Sequence, residues 1–140
     1  MPVNQTLGMI SLVVREYDEA LRFFVGILGF RLVEDTYVPE QDKRWVVVKP
    51  EGTGGACLLL ARATTEDQTR RVGSQTGGRV FLFLYTDDLL RDYAQYKSKE
   101  VKFIREPDQQ PHGLVAVFED LYGNAWDLIQ PNKINRSWQP

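Results

Sequence analysis

The feature that most restricts how this chain can fold is an internal repeat: the order strand, helix, strand, strand, strand can be read twice, offset by about seventy residues. In the first copy, Thr6 to Val14 alternates Ile10, Leu12 and Val14 against Met9, Ser11 and Val13, the period of a strand. Ala20, Phe23, Phe24, Ile27 and Leu28 recur at helical spacing behind Asp18 and Glu19, acids that suit the first turn, and Gly29 reads as the C-terminal cap. Phe30 to Val38, Arg44 to Lys49 and Ala56 to Ala63 read as strands, separated by the polar loop Glu40 to Lys43 and the glycine-rich turn Pro50 to Gly55. In the second copy Val80 to Tyr85 is the first strand, Asp87-Asp88 starts a helix, and Leu89, Leu90, Tyr93 and Ala94 share its face. Strands at Val101 to Arg105, Leu114 to Glu119 and Ala125 to Gln130 follow, with Pro107 to Gly113 as a loop.

Neither copy can cover its own sheet, because one helix protects one face and leaves the other to curl into an open cup. The pattern predicts an α+β fold of two βαβββ modules forming a curved mixed sheet. Module one falls at about 5–63, a polar connector at 64–78, module two at about 79–130 and a tail, mobile or lying across a partner, at 131–140. A chain of 140 residues fits all of this into one domain with a hydrophobic core of its own.

Val117 to Gln130 holds the residue of most chemical interest. Gly123-Asn124 supplies the positive-φ residues of a tight turn, and Ala125, Asp127 and Ile129 then point one way while Trp126 and Leu128 point the other, toward the core. Asp127 is thereby an acid in the middle of an apolar strand, a costly position unless solvated or paired. By the same parity Phe81, Phe83 and Tyr85 face the way of Asp127, together with Met9 and Ser11, and Leu58 and Leu60 are placed with them. These aromatics either fill a core or wall a pocket that ends in one acid. The adjacent Asp120 reads as a turn cap through backbone bonds.

Other chemistries are poorly served. The formal charge of −2, with acids and bases spread through both halves, predicts no nucleic-acid or anionic-membrane partner. Apolar runs such as Val80 to Tyr85 fall far short of the ~20 residues of a membrane helix, and the amino terminus shows no basic region followed by an apolar core, so a cytoplasmic protein is expected. Cys57 is the single cysteine and can form no internal disulfide. Gly52 to Gly55 lacks the lysine of a phosphate-binding loop, no serine or cysteine sits in a nucleophile motif, and the lone histidine, His112, lies in a loop where a solvated role is expected.

The segments Val14 through Ala20, Leu28-Gly29-Phe30, Thr86-Asp87-Asp88-Leu89 and Phe118 through Leu128, in this order and spacing, resemble the vicinal oxygen chelate superfamily. That superfamily includes glyoxalase I, extradiol dioxygenases and bleomycin-resistance proteins, and the resemblance runs from about Leu7 to Gln130. It implies a cup into which four strands each place one metal ligand, at positions that here hold Met9, Leu58, Phe81 and Asp127. One carboxylate with a thioether, a leucine and a phenylalanine cannot chelate a hard or borderline ion, so no metal and no cofactor is expected. The resemblance therefore implies a metal-independent small-molecule-binding protein. Its ligand, aromatic or cationic, would be held by Phe81, Phe83, Tyr85, Asp127, Met9 and Leu58. A homodimer is also implied, since such proteins commonly build each cup from modules of two subunits. The alternative is a lyase, isomerase or dioxygenase-like enzyme of the same superfamily, using Asp127 with Arg44, Tyr37 or Tyr85.

Overall fold

The structure, a computed structural model, describes residues 2–132. The chain divides into two compact units, the first ending at Thr69 and the second beginning at Arg70. The first contains β1 (Met9–Val14), α1 (Tyr17–Leu21), β2 (Arg31–Val38), β3 (Lys43–Lys49) and β4 (Cys57–Arg62). Its sheet has the order β1-β4-β3-β2, with β1 parallel to β4 and the remaining pairs antiparallel. One face is closed by the helix: Leu12, Val14, Val46, Val48 and Leu60 are fully buried, as are Ala20 and Phe24 of the helical segment.

That segment changes character part of the way along, because α1 continues as a π-helix over Arg22–Ile27. Leu28 N–H donates to the Phe23 carbonyl at 2.9 Å, a span of five residues rather than four. The wider turn presents the consecutive residues Phe23 and Phe24 to the core, edge to face at 5.2 Å. Gly29, at φ +79°, then ends the helix as the sequence predicts.

The connector is more ordered than its polarity suggests. Its first half holds α2 (Glu66–Arg71), with acids in the first turn and arginines in the last. Thr65 Oγ1 accepts from Gln68 N–H at 3.1 Å, and Gln68 Oε1 accepts from Thr64 N–H at 2.8 Å. In the second half, Gly73 at φ +79° passes so close to the Tyr122 carbonyl that a Cβ there would overlap it. Two residues on, Gln75 N–H donates to Asn124 Oδ1 at 3.1 Å.

The second unit repeats the plan with β5 (Leu82–Tyr85), α3 (Leu89–Ser98), β6 (Phe103–Gln110), β7 (Gly113–Glu119) and β8 (Ala125–Pro131), in the order β5-β8-β7-β6. Asp88 caps α3 by accepting from Arg91 N–H at 3.1 Å. Of the expected helical face, Leu89 is fully buried but Leu90 is 58% exposed. Successive helical residues turn by about 100°, so the buried stripe runs through Leu89, Tyr93 and Tyr96 instead. Tyr93 and Tyr96 stack into a ring cluster with Phe103, Phe118 and Trp126.

Pro107 to Gly113 is not a loop, because β6 continues through Pro107 to Gln110 and pairs with β7 as far as Gln110 opposite Gly113. Proline is tolerated there because β6 is an edge strand whose register slips on either side of Arg105. In the β7–β8 turn, positive φ is confined to Gly123, at +100°; Asn124 does not share it. The turn is held instead by Asp120, a buried carboxylate that accepts four hydrogen bonds at 3.0 Å, from Tyr122 N–H, Asn124 N–H, Asn124 Nδ2 and Trp126 Nε1. Of the expected tail, Pro131 closes β8, and residues 133–140 lie outside the described residues.

Candidate functional site

In the second unit the face away from α3 carries an ordered row of side chains. Register pairs Phe83 with Asp127, Asp127 with Val117, and Val117 with Arg105, so the four lie side by side across β5, β8, β7 and β6. Phe83 is 60% exposed and Asp127 half-buried. Among the described residues Asp127 makes no hydrogen bond or ion pair, and its surroundings act on it in two ways. Loss of water pushes its carboxyl above the ordinary range, and the positive charges of Arg105 and His112 pull it back. His112, expected in a solvated loop role, is half-buried in the β6–β7 turn within electrostatic reach of the acid.

The next row along is closed, with Ile129 and Val115 buried, and Tyr85 opposite Ile129 has its phenol pushed up by burial. Phe81 stops short of the row. Strand β5 begins only at Leu82, and the Phe81 ring stands edge-on to Trp126 with centroids 6.2 Å apart.

In the first unit the corresponding face, away from α1, holds Met9 beside Cys57, Ser11 beside Leu59 and Val13 beside Ala61. A recess of about 440 Å³ opens there, lined by Ser11, Val13, Trp45, Leu59, Ala61 and Gln68 among others. Met9, 44% exposed, lies on this face as expected. Leu58 and Leu60 do not. Leu58 pairs with Ile10 and Leu60 with Leu12, which puts both on the helix-covered face, where they are buried. Leu58 is therefore a core residue, and Leu59 and Trp45 take the place assigned to it. The alternative polar residues are engaged elsewhere. Arg44 donates to Asp35 at 2.7 and 3.1 Å and to Asp18 at 2.9 Å, with its guanidinium 5.1 Å from the Tyr17 ring, and Tyr37 donates to Asp42 at 3.0 Å.

These positions do not fit a divalent ion. Met9 and Leu58 point to opposite faces of one sheet, Phe81 has no donor atom, and no group of three histidine, cysteine, aspartate or glutamate residues among the described residues is placed to hold a metal. No helix among them is long and apolar enough to cross a membrane.

The sequence model of the Glyoxalase/Bleomycin resistance protein/Dioxygenase superfamily matches residues 6–128. A protein of Shewanella frigidimarina (strain NCIMB 400), named only as uncharacterized, is 57% identical over 130 residues, covering 93% of this chain and 96% of its own length. Two solved structures are similar throughout. TnmS3, described as an antibiotic binding protein from Streptomyces sp. CB03234, is 27% identical with a TM-score of 0.74, over 94% of this chain and 100% of that one. A superfamily member from Sphaerobacter thermophilus DSM 20745 is 26% identical with a TM-score of 0.75, over 91% and 98%.

Proposed function

We propose, from the premise that this chain belongs to the Glyoxalase/Bleomycin resistance protein/Dioxygenase superfamily, that it is a metal-independent binding protein for a planar aromatic molecule bearing positive charge. The observation that carries the reading is Phe83, a large ring 60% exposed in mid-sheet, directly beside a half-buried carboxylate without a bonded partner among the described residues. An apolar ring and a desolvated acid left open together are both costs that one ligand relieves. A cationic ring laid on Phe83 gains a cation–π contribution of about 0.5–2 kcal/mol beyond its area burial, and its charge gives Asp127 a partner. The recess beside Trp45 offers a second aromatic surface of the same kind in the first module. The description of TnmS3 as antibiotic binding supports a binding role, and the apolar residues at the superfamily's ligand positions support independence from metal.

The reading extends to a homodimer, supported by the exposed apolar side chains Met9 and Phe83 on the uncovered faces. The test is a titration of wild type, Phe83→Ala and Asp127→Asn with planar cations such as ethidium and acriflavine, read by fluorescence and by melting temperature. Wild type is expected to bind and to be stabilised, and each variant to bind at least tenfold more weakly. Absence of binding across the panel, or equal binding by Asp127→Asn, would overturn the reading.

A further inference from the structure

The row that holds Phe83 and Asp127 ends in a second charge, Arg105, on the edge strand β6. Its charged neighbours have partners of their own, cations for Glu106 and Glu119 and a neutral amide for Asp108. Glu106 meets Lys97 at 3.9 Å, Glu119 on β7 meets Lys102 at 3.5 Å, and Asp108, in the adjacent row, accepts from Gln110 at 2.6 Å. Arg105 is exposed and makes no ion pair among the described residues. It lies two strands from Asp127, about 9–10 Å between backbones, with the apolar Val117 between them. The two are close enough for the guanidinium to influence the carboxyl, yet no salt bridge joins them.

A purely cationic ligand drawn to Asp127 would meet the positive charge of Arg105 across Val117 in the same row. An anionic group on the ligand turns the Arg105 repulsion into attraction, and a guanidinium is suited to grip a carboxylate with two parallel hydrogen bonds. We infer that the ligand of this face is zwitterionic, with its ring on Phe83, its cationic group at Asp127, an apolar span over Val117 and its anionic group at Arg105. The inference rests on the reading of this face as a binding site and narrows the class of molecule it takes.

Two matched probe pairs of different length test it: tryptophan against tryptamine, and rhodamine B against its ethyl ester. In each pair only the first member carries the carboxylate. Affinities are measured by calorimetry for the small pair and by fluorescence anisotropy for the large one, with wild type, Arg105→Gln and Asp127→Asn. For at least one pair, wild type is expected to prefer the zwitterion at least tenfold. Arg105→Gln is expected to abolish that preference by weakening the zwitterion alone, whereas Asp127→Asn weakens both members. If the cationic members bind in an Asp127-dependent way but Arg105→Gln leaves both affinities unchanged, the inference falls and the binding reading stands. If neither pair binds wild type while ethidium does, the inference falls and the binding reading stands; if ethidium also fails to bind, both fall.

Discussion

Removal from water is the largest influence on Asp127 and raises its carboxyl above the ordinary value of 3.8, with Arg105 and His112 offsetting only part of the effect. In the unfolded chain the group returns to the ordinary value. Between the two the folded state binds more protons, so this residue's contribution to stability falls as pH rises through that window. Asp127→Asn is expected to melt at or above wild type at pH 7, with the advantage fading as pH falls from the raised folded value toward 3.8 and gone below it; melting curves across pH read this directly. Asp35 has the opposite sign. The hydrogen bond from Arg44 holds it below the ordinary range, so its contribution is present above pH 3.8 and lost as pH falls through the folded value. Arg44→Ala is expected to cost about 1 kcal/mol at pH 7 and less in acid. Phe83 offers a cleaner comparison. Exposed as it is, Phe83→Ala is expected to cost less than about 1 kcal/mol in urea unfolding, against about 3–5 kcal/mol for the fully buried Phe118→Ala. Equal costs would mean that Phe83 belongs to the core and would remove the site.

At the scale of elements, the β7–β8 turn depends on one side chain, since Asp120 satisfies four donors at once. Asp120→Ala removes the acceptor shared by the buried donors of Asn124 and Trp126 and is expected to cost about 3 kcal/mol or more, measured by chemical unfolding. The same elements show what was legible in the sequence. Most strands, the Asp88 cap and the Gly29 stop rest on local chemistry and could be read directly. The helix α2 has a readable signal of its own, a threonine before the helix and a glutamine three residues on, which bond to backbone N–H groups of the first turn and of Thr64. The face that Leu58 takes is not legible in the sequence. Its face depends on the pairing of Met9 with Cys57, and no local pattern fixes the register between strands so distant in sequence. Nor does any local pattern reveal Arg105, because only the slipped pairing of β6 with β7 brings it into line with Asp127.

For the whole molecule, the repeat made the α+β architecture legible, while the relation of charges across strands was not. Protein dialysed and then offered Zn²⁺, Ni²⁺, Mn²⁺ or Fe²⁺ is expected to retain less than one ion per chain by elemental analysis. One tightly held ion, lost on Asp127→Ala, would contradict the metal-independent reading. Sedimentation over a wide concentration range is expected to show a dimer, and a monomer persisting at high concentration would count against it. The shared strand order has a further consequence for how the chain comes to be folded. In each module the last three strands form a meander of near neighbours, but the first strand lies parallel to the last, and the pairs Met9–Cys57 and Leu82–Trp126 lie 48 and 44 residues apart in the chain. During synthesis β1 leaves the ribosome long before its partner exists, and β5 repeats the wait. The segment made first in each module has its partner strand only when the module is complete, and until then both edges of the apolar strand Met9–Val14 are open, a stretch through which newly made chains would stick to one another.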